Sequence, residues 1–151
     1  DILSISDGAI RQWTRAGKPV GKPLDYEGGI VGIMAVSPGG LMVVGACGDG
    51  RVRLCNIKEG SLVGQPWEGN HDRVICLDCW VASLCWSKDG EYIFSASLDC
   101  TIRKRQSNDG KELVVIRGHT EPVASLCLSP DGCHLVSASI DYSVPIWDLE
   151  T

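Results

Sequence analysis

Short runs in which apolar residues alternate with small or polar residues follow one another along the chain, and turn residues separate them. The run 122–129, PVASLCLS, is followed by the turn Ser129–Gly132, SPDG, and then by a second alternating run, CHLVSAS, at 133–139. Alternation with a period of two predicts half-buried strands, and Pro and Gly in SPDG favour a β-turn. We find no convincing helical period of 3.6 residues. The pattern therefore predicts an all-β chain.

The predicted strands recur in a fixed register. An aspartate precedes a second landmark residue by six positions in four places: Asp7 and Trp13, Asp49 and Cys55, Asp99 and Arg105, Asp141 and Trp147. A turn serine lies twelve residues before three of these aspartates, at Ser37, Ser87 and Ser129. The aspartates are separated by 42, 50 and 42 residues, and a period in this range indicates a repeat architecture.

Four features of the last unit identify the repeat by resemblance. They are the pair Gly118–His119, the turn Ser129–Gly132, the segment Ser137–Asp141 and the pair Trp147–Asp148. Together they resemble a WD40 repeat, and the resemblance extends over nearly the whole chain. It implies a WD40-type β-propeller with about three and a half four-stranded blades. The Gly-x-Pro-Leu/Trp connection at Gly21–Leu24 and Gly64–Trp67 is similar to that of repeat-rich fungal WD40 proteins, including NACHT-type receptors.

The repeat divides the chain into one partial propeller with four predicted units. Residues 1–26 form a partial blade, 27–68 a blade, 69–117 a blade with an insertion near 74–80, and 118–151 a blade without its last strand. The chain begins in the middle of the pattern, and we favour a part of a larger propeller. The alternative is a half-propeller that closes its ring with a second copy.

The resemblance also implies a structural tetrad of hydrogen-bonded side chains, His119, Ser137, Asp141 and Trp147. A neutral imidazole donates from one nitrogen and accepts on the other, and an indole N–H needs an acceptor when it is buried. Because the register repeats, we interpret His–Ser–Asp as structural rather than catalytic. Partial sets are predicted at His71, Ser95 and Asp99, at Asp49, and at Asp7 and Trp13. Pro145 in the predicted third strand favours a bulge there.

The third repeat is the irregular one, because it is eight residues longer than its neighbours. Its segments RVICLDCW and VASLCWS both read as strands, so either one is innermost while the other loops out, or the extra segment is an artefact of the gene model. Cys76, Cys79 and His71 within it are weak candidates for a zinc or redox site. Residues three apart on a strand point to opposite faces, and the segment has no Gly or Pro to bring the sulfurs together. We therefore favour no metal and no cofactor.

Charge and composition argue against some classes of binding partner and indicate a cellular compartment. The chain has 14 basic and 19 acidic residues, a net charge of −5 and a pI near 5.1, which argues against binding to nucleic acid or an anionic membrane. No apolar run approaches the roughly 18 residues of a membrane span. Most of the eight cysteines lie in alternating apolar runs, where reduced thiols act as small core residues, so we expect an intracellular, cytoplasmic protein.

The sequence contains no motif that indicates catalysis, so we predict that the protein is not an enzyme. The resemblance implies a scaffold that binds a protein or peptide partner. In WD40 proteins the residue before the turn aspartate often faces the binding surface, which gives the candidates Ser6, Gly48, Leu98 and Ile140. A carbohydrate-binding propeller is the alternative, although its expected exposed aromatics do not recur at one position here. A cysteine-based metal or redox protein is the third reading.

Overall fold

The computed structural model describes residues 2–6, 8–24, 31–68 and 81–150. Within these residues the chain forms fourteen β-strands and no helix. The first seven strands are β1 (Ile2–Ser6), β2 (Ala9–Trp13), β3 (Pro19–Leu24), β4 (Val31–Val36), β5 (Met42–Cys47), β6 (Arg51–Asn56) and β7 (Ser61–Glu68). The others are β8 (Val81–Trp86), β9 (Tyr92–Ser97), β10 (Ile102–Gln106), β11 (Glu112–Ile116), β12 (Val123–Leu128), β13 (His134–Ser139) and β14 (Ile146–Asp148).

The strands form four antiparallel sheets in which each strand pairs with its neighbours in sequence. The sheets contain β1–β3, β4–β7, β8–β11 and β12–β14. The first sheet corresponds to the second, third and fourth strands of a repeat, and the last sheet to the first, second and third. This is the all-β arrangement of about three and a half four-stranded units that the repeat predicts.

Each sheet packs face to face on the next sheet along the chain. A separate apolar cluster fills each of the three interfaces, and Ile10, Val44 and Phe94 are buried members of the first, second and third cluster. Innermost strands of neighbouring sheets also bond directly. Trp86 donates its indole N–H to the carbonyl of Ala35 at 3.0 Å, and the Leu126 amide donates to the Ser83 hydroxyl at 3.0 Å. The sheets are therefore consecutive blades of a partial propeller.

The Gly-x-Pro connection gives two fourth strands the same shape. Gly21 and Gly64 both adopt left-handed backbone, with φ of 66° and 70°, beside a shift of register in β3 and β7. The apolar residue three positions later, Leu24 or Trp67, is buried in each case. A Cβ placed on Gly110 of the next blade would overlap the Trp67 ring. The connection thus turns a side chain onto the neighbouring blade.

The structure corrects one detail of the sequence prediction, at Pro145, and identifies the innermost strand of the third repeat, which the sequence left open. The predicted bulge at Pro145 is wrong: β14 begins at Ile146 and pairs with β13 without a shift of register. Pro145 has no N–H to donate, so the ladder starts after it, although its carbonyl accepts from the Ser137 amide. In the long third repeat, Val81–Trp86 is the innermost strand. The other strand-like segment lies in 69–80, outside the described residues.

Candidate functional site

The structure brings His119, Ser137, Asp141 and Trp147 together in the fourth blade. His119 Nε2 lies 2.7 Å from Ser137 Oγ, and His119 Nδ1 lies 2.7 Å from Asp141 Oδ2. The Trp147 indole N–H donates to Ser137 Oγ at 2.8 Å. The ionised carboxylate accepts the Nδ1 proton, which leaves Nε2 to accept from the serine hydroxyl. Each hydrogen bond in the series Trp147–Ser137–His119–Asp141 then pairs one donor with one acceptor.

The same atoms resemble a Ser-His-Asp triad but are arranged for support. Ser137 is fully buried at 0% exposure, and its Oγ already holds both the indole and the imidazole. A nucleophilic serine needs an approach for substrate and an oxygen free to attack. His119, packed edge-on against the Trp147 ring at 6.0 Å, is itself 9% exposed. The cluster therefore joins strand β13, the loop that carries His119 and the hairpin between β13 and β14.

Asp141 uses the network to fix the β13–β14 hairpin. Besides His119, its carboxylate accepts from the Ser143 hydroxyl and amide and from the Thr120 amide at 3.2 Å. The Ser143 hydroxyl, followed by His119 and the two amides, holds the pKa of Asp141 well below its usual range, and desolvation opposes this only in part. The hairpin is thus anchored to the loop that enters the blade.

The second blade holds its turn aspartate in another way. Asp49 forms a bidentate ion pair with Arg53, at 2.9 and 2.6 Å, and Arg53 is 4% exposed. These contacts lower the pKa of Asp49, the hydrogen bond from Arg53 most of all. The sequence reasoning missed Arg53. Its signal was a basic residue four positions after the aspartate in three repeats, Arg11, Arg53 and Arg103.

The third blade extends this ion pair into a network. Asp99 accepts from the Thr101 hydroxyl at 2.6 Å and from Arg103 at 3.3 Å. Glu112 joins Arg103, at 2.9 Å, to Arg105, at 3.2 Å. Arg105 occupies the tryptophan position and is 7% exposed, and its burial lowers its pKa. Ser95, predicted for a partial tetrad, is 1% exposed in β9. Ion pairs therefore stabilise the third blade, whereas the hydrogen-bonded tetrad stabilises the fourth.

The first blade keeps one bond of the tetrad. The Trp13 indole donates to Ser4 Oγ at 2.8 Å, as Trp147 does to Ser137. Counting back from the tryptophan by the spacing of the fourth repeat gives Leu3, so the sequence spacing does not reveal Ser4. The segment from Ser4 to Trp13 is one residue shorter than the corresponding segment from Ser137 to Trp147. The predicted residues Asp7, His71, Cys76 and Cys79 lie outside the described residues.

The hairpins between the second and third strands of the blades form a rim, which we define by the described residues 5, 6, 8, 48–50, 98–100 and 140–143. The four predicted surface residues differ in exposure: Gly48 and Ile140 are exposed, whereas Ser6 and Leu98 are half-buried. Ile140 is 57% exposed, and its amide donates to the Pro122 carbonyl at 3.0 Å. Tyr142, which the sequence reasoning did not single out, is 99% exposed on the same hairpin.

The sequence candidates for a metal or redox site, Cys76, Cys79 and His71, lie outside the described residues, so that site stays a prediction. No disulfide joins the six cysteines of the described residues to one another, and burial raises the pKa of Cys85 to about 12. A thiol with such a pKa is a poor nucleophile or metal ligand at neutral pH. Among the described residues, no group of three His, Cys, Asp or Glu side chains is arranged to hold a metal ion. The described residues also include no helix long and apolar enough to cross a membrane.

Comparison with known families agrees with this geometry. The family model described as "WD domain, G-beta repeat" matches residues 69–104 and 110–148. A comparison with curated protein sequences gave no match. The matched stretches contain the turn aspartates of the third and fourth blades, Asp99 and Asp141, and the complete tetrad around Ser137. The chain belongs to the WD40-repeat family.

Proposed function

We propose that the protein is a non-enzymatic scaffold that binds a protein or peptide partner through the rim of its third and fourth blades. WD40 domains are interaction scaffolds as a class. The observation that carries the proposal is the exposed apolar pair Ile140 and Tyr142, held on a hairpin that the buried tetrad fixes in place. Apolar side chains exposed together on a rigid surface favour a contact with another molecule.

A rigid surface favours tight binding, because little of the surface has to become ordered when a partner binds. The Ile140 amide bonds to Pro122, the Ser139 hydroxyl bonds to the Glu121 carbonyl, and Asp141 bonds to Thr120. These bonds tie the hairpin to the loop beside it. A preorganised surface keeps more of its contact free energy as affinity, because fewer side chains and loops have to be immobilised.

The test is a selection of random peptides displayed on phage against the 151-residue chain. We expect enriched peptides whose binding falls when Ile140 is changed to Ser. The matched control is Leu113→Ser, since Leu113 is similarly exposed, at 42%, but lies on β11 away from the rim. The proposal fails if no peptide is enriched, or if both variants weaken binding equally.

A second copy that closes the ring is the further partner that we propose, as the alternative to further blades of a larger propeller, and it would cover the outer face of the first blade. Ile2 is 55% exposed there, whereas residues at the same register in the other blades, Val43, Ile93 and Leu135, are at most 1% exposed. On the fourth blade Ile146 is 67% exposed. Faces of these two kinds pack together inside the chain, which favours the same contact between copies. Light scattering should give the mass of a dimer; a monomer would remove this proposal.

We place the protein in the cytoplasm and propose no cofactor and no nucleic-acid partner. The absence of a disulfide among the described cysteines, with Cys127 exposed, supports a reducing compartment. The net charge of −5 supports the absence of a nucleic-acid partner. Localisation of the tagged chain in its own cells tests the first point, since an extracellular or secretory signal would contradict it.

A further inference from the structure

The tips of the rim hairpins share one backbone conformation but not one residue type. The residue after the turn aspartate has positive φ in every blade: 76° at Gly8, 77° at Gly50, 67° at Cys100 and 64° at Tyr142. Glycine adopts this left-handed region without strain, whereas a residue with a Cβ is strained there. In the described residues, Cys100 and Tyr142 are the two non-glycine residues with positive φ.

Tyr142 gains no packing in return for this strain. Its side chain is 99% exposed, so the ring adds nothing to a core or to an interface between blades. The surrounding bonds impose the conformation: the Tyr142 amide donates to the Ser139 carbonyl at 3.2 Å, and Asp141 accepts from the Ser143 amide at 2.8 Å. A strained backbone that the neighbouring structure enforces is a feature of binding and catalytic sites.

The charges beside this tip are negative. Glu121 lies on the loop that bonds to this hairpin, because its carbonyl accepts from the Ser139 hydroxyl at 2.9 Å and the neighbouring Thr120 amide donates to Asp141 at 3.2 Å. The carboxylates of Glu121, Asp99 and Asp141 also raise the pKa of the Cys100 thiol, after the larger effect of desolvation. Arg103 neutralises Asp99 through the ion pair at 3.3 Å. The carboxylate of Asp141 stays ionised because its bonds favour the charged form. The exposed Glu121 adds a second negative charge.

An exposed tyrosine on a hairpin that is bonded to an acidic loop favours a cationic group in the partner. Guanidinium stacks on the face of a tyrosine ring and pairs with carboxylates through its planar fork. Lysine offers a point charge with less stacking, and an acidic residue would be repelled. An aliphatic neighbour in the partner would cover Ile140, which lies two residues from Tyr142 and is 57% exposed.

We propose that Tyr142 and Glu121 bind an arginine side chain in an extended partner segment, with Ile140 contacting an adjacent aliphatic residue. This rests on the proposed scaffold function and names its partner chemistry. The strained tip in the fourth blade is the anchor of the contact. The glycine tips of the first two blades carry no side chain that could serve in the same way.

The experiment measures fluorescence anisotropy of three labelled synthetic peptides with the 151-residue chain. Their centres are Arg-Leu-Arg, Lys-Leu-Lys and Gln-Leu-Gln in one glycine-serine frame. The Arg peptide should bind most tightly, the Gln peptide least, and added salt should weaken the Arg peptide. Tyr142→Gly should weaken the Arg peptide about fivefold, as expected for loss of an exposed cation–π contact. Tyr142→Phe should keep the affinity, because the ring remains, and Glu121→Gln should weaken it.

The thermal stability of the Tyr142→Gly variant shows whether weaker peptide binding comes from the lost side chain or from loss of the fold. Tyr142→Gly should have an equal or higher midpoint of thermal unfolding than the parent, since glycine fits the left-handed tip without strain. Equal affinity of the Arg and Gln peptides, or unchanged affinity in the Tyr142→Gly variant, would overturn the arginine proposal. If selected peptides nevertheless bind in an Ile140-dependent way, the scaffold proposal stands without it. If no peptide in either experiment binds, both fail.

Discussion

Replacing Ser137 with Ala tests whether the tetrad stabilises the fold. The hydroxyl accepts from the Trp147 indole at 2.8 Å and bonds to His119 Nε2 at 2.7 Å, and the residue is 0% exposed. Alanine fits the same space but leaves a buried donor and a buried acceptor without partners. Each such group costs about 1–3 kcal/mol. We therefore expect the free energy of unfolding to fall by about 2–4 kcal/mol.

Ser4→Ala is the matched control. Ser4 Oγ also accepts from a tryptophan, Trp13, at 2.8 Å, but both residues are half-buried. Water can reach a partly exposed indole N–H, so the expected cost is about 0.5–1.5 kcal/mol. The hydroxyl and the indole are the same in the two blades. The difference between the variants therefore measures the burial and the histidine contact of the fourth blade.

Urea unfolding, followed by tryptophan fluorescence, gives both free energies. A loss of this size is a large fraction of the roughly 5–15 kcal/mol that holds a domain folded, so it shifts the midpoint well beyond error. Equal losses in the two variants would refute the reasoning that the buried network, and not the indole contact alone, fixes the fourth blade. An unchanged midpoint in Ser137→Ala would refute it more directly.

Two further predictions concern a glycine and a carboxylate. Gly110→Ala should destabilise the fold by about 2–4 kcal/mol in urea unfolding, because left-handed strain adds to overlap of the new Cβ with the Trp67 ring. Gly21→Ala, which has the strain without a neighbour within 4 Å, should cost about 1 kcal/mol, and equal losses would contradict the role of Trp67. Asp141 has a lowered pKa, so its stabilising contribution is present above about pH 4 and is lost as the pH falls. Asp141→Asn should therefore show a flatter loss of stability on acidification, and parallel pH curves for the two proteins would be evidence against this assignment.

The sequence was sufficient for the blades because two independent signals agreed in register. Alternation placed the strands, and the spacing from turn serine to aspartate placed the hairpins. The fourteen strands follow from those signals within the described residues. Pro145 was misread because proline was taken to distort a strand, whereas the structure starts the strand after it.

The contacts that replace the tetrad were harder to foresee. In the second blade the aspartate is held by Arg53, and in the third by Thr101 and Arg103. The recurrence of an arginine four residues after the aspartate was visible, but a basic residue on a strand is more often exposed than buried. The bond from Trp13 to Ser4 depends on a hairpin one residue shorter, which landmark counting could not detect. The strain at Tyr142 is a property of the backbone and appears only in three dimensions.

Hydrogen exchange of the chain with and without a selected peptide tests the central claim most directly, since it reports where a partner touches. Rim binding predicts slower exchange at amides of residues 98–100, 117–122 and 140–143, with little change on the strands far from the rim. Protection confined to the outer strands, such as β7 and β11, or no protection at saturating peptide, would contradict the account.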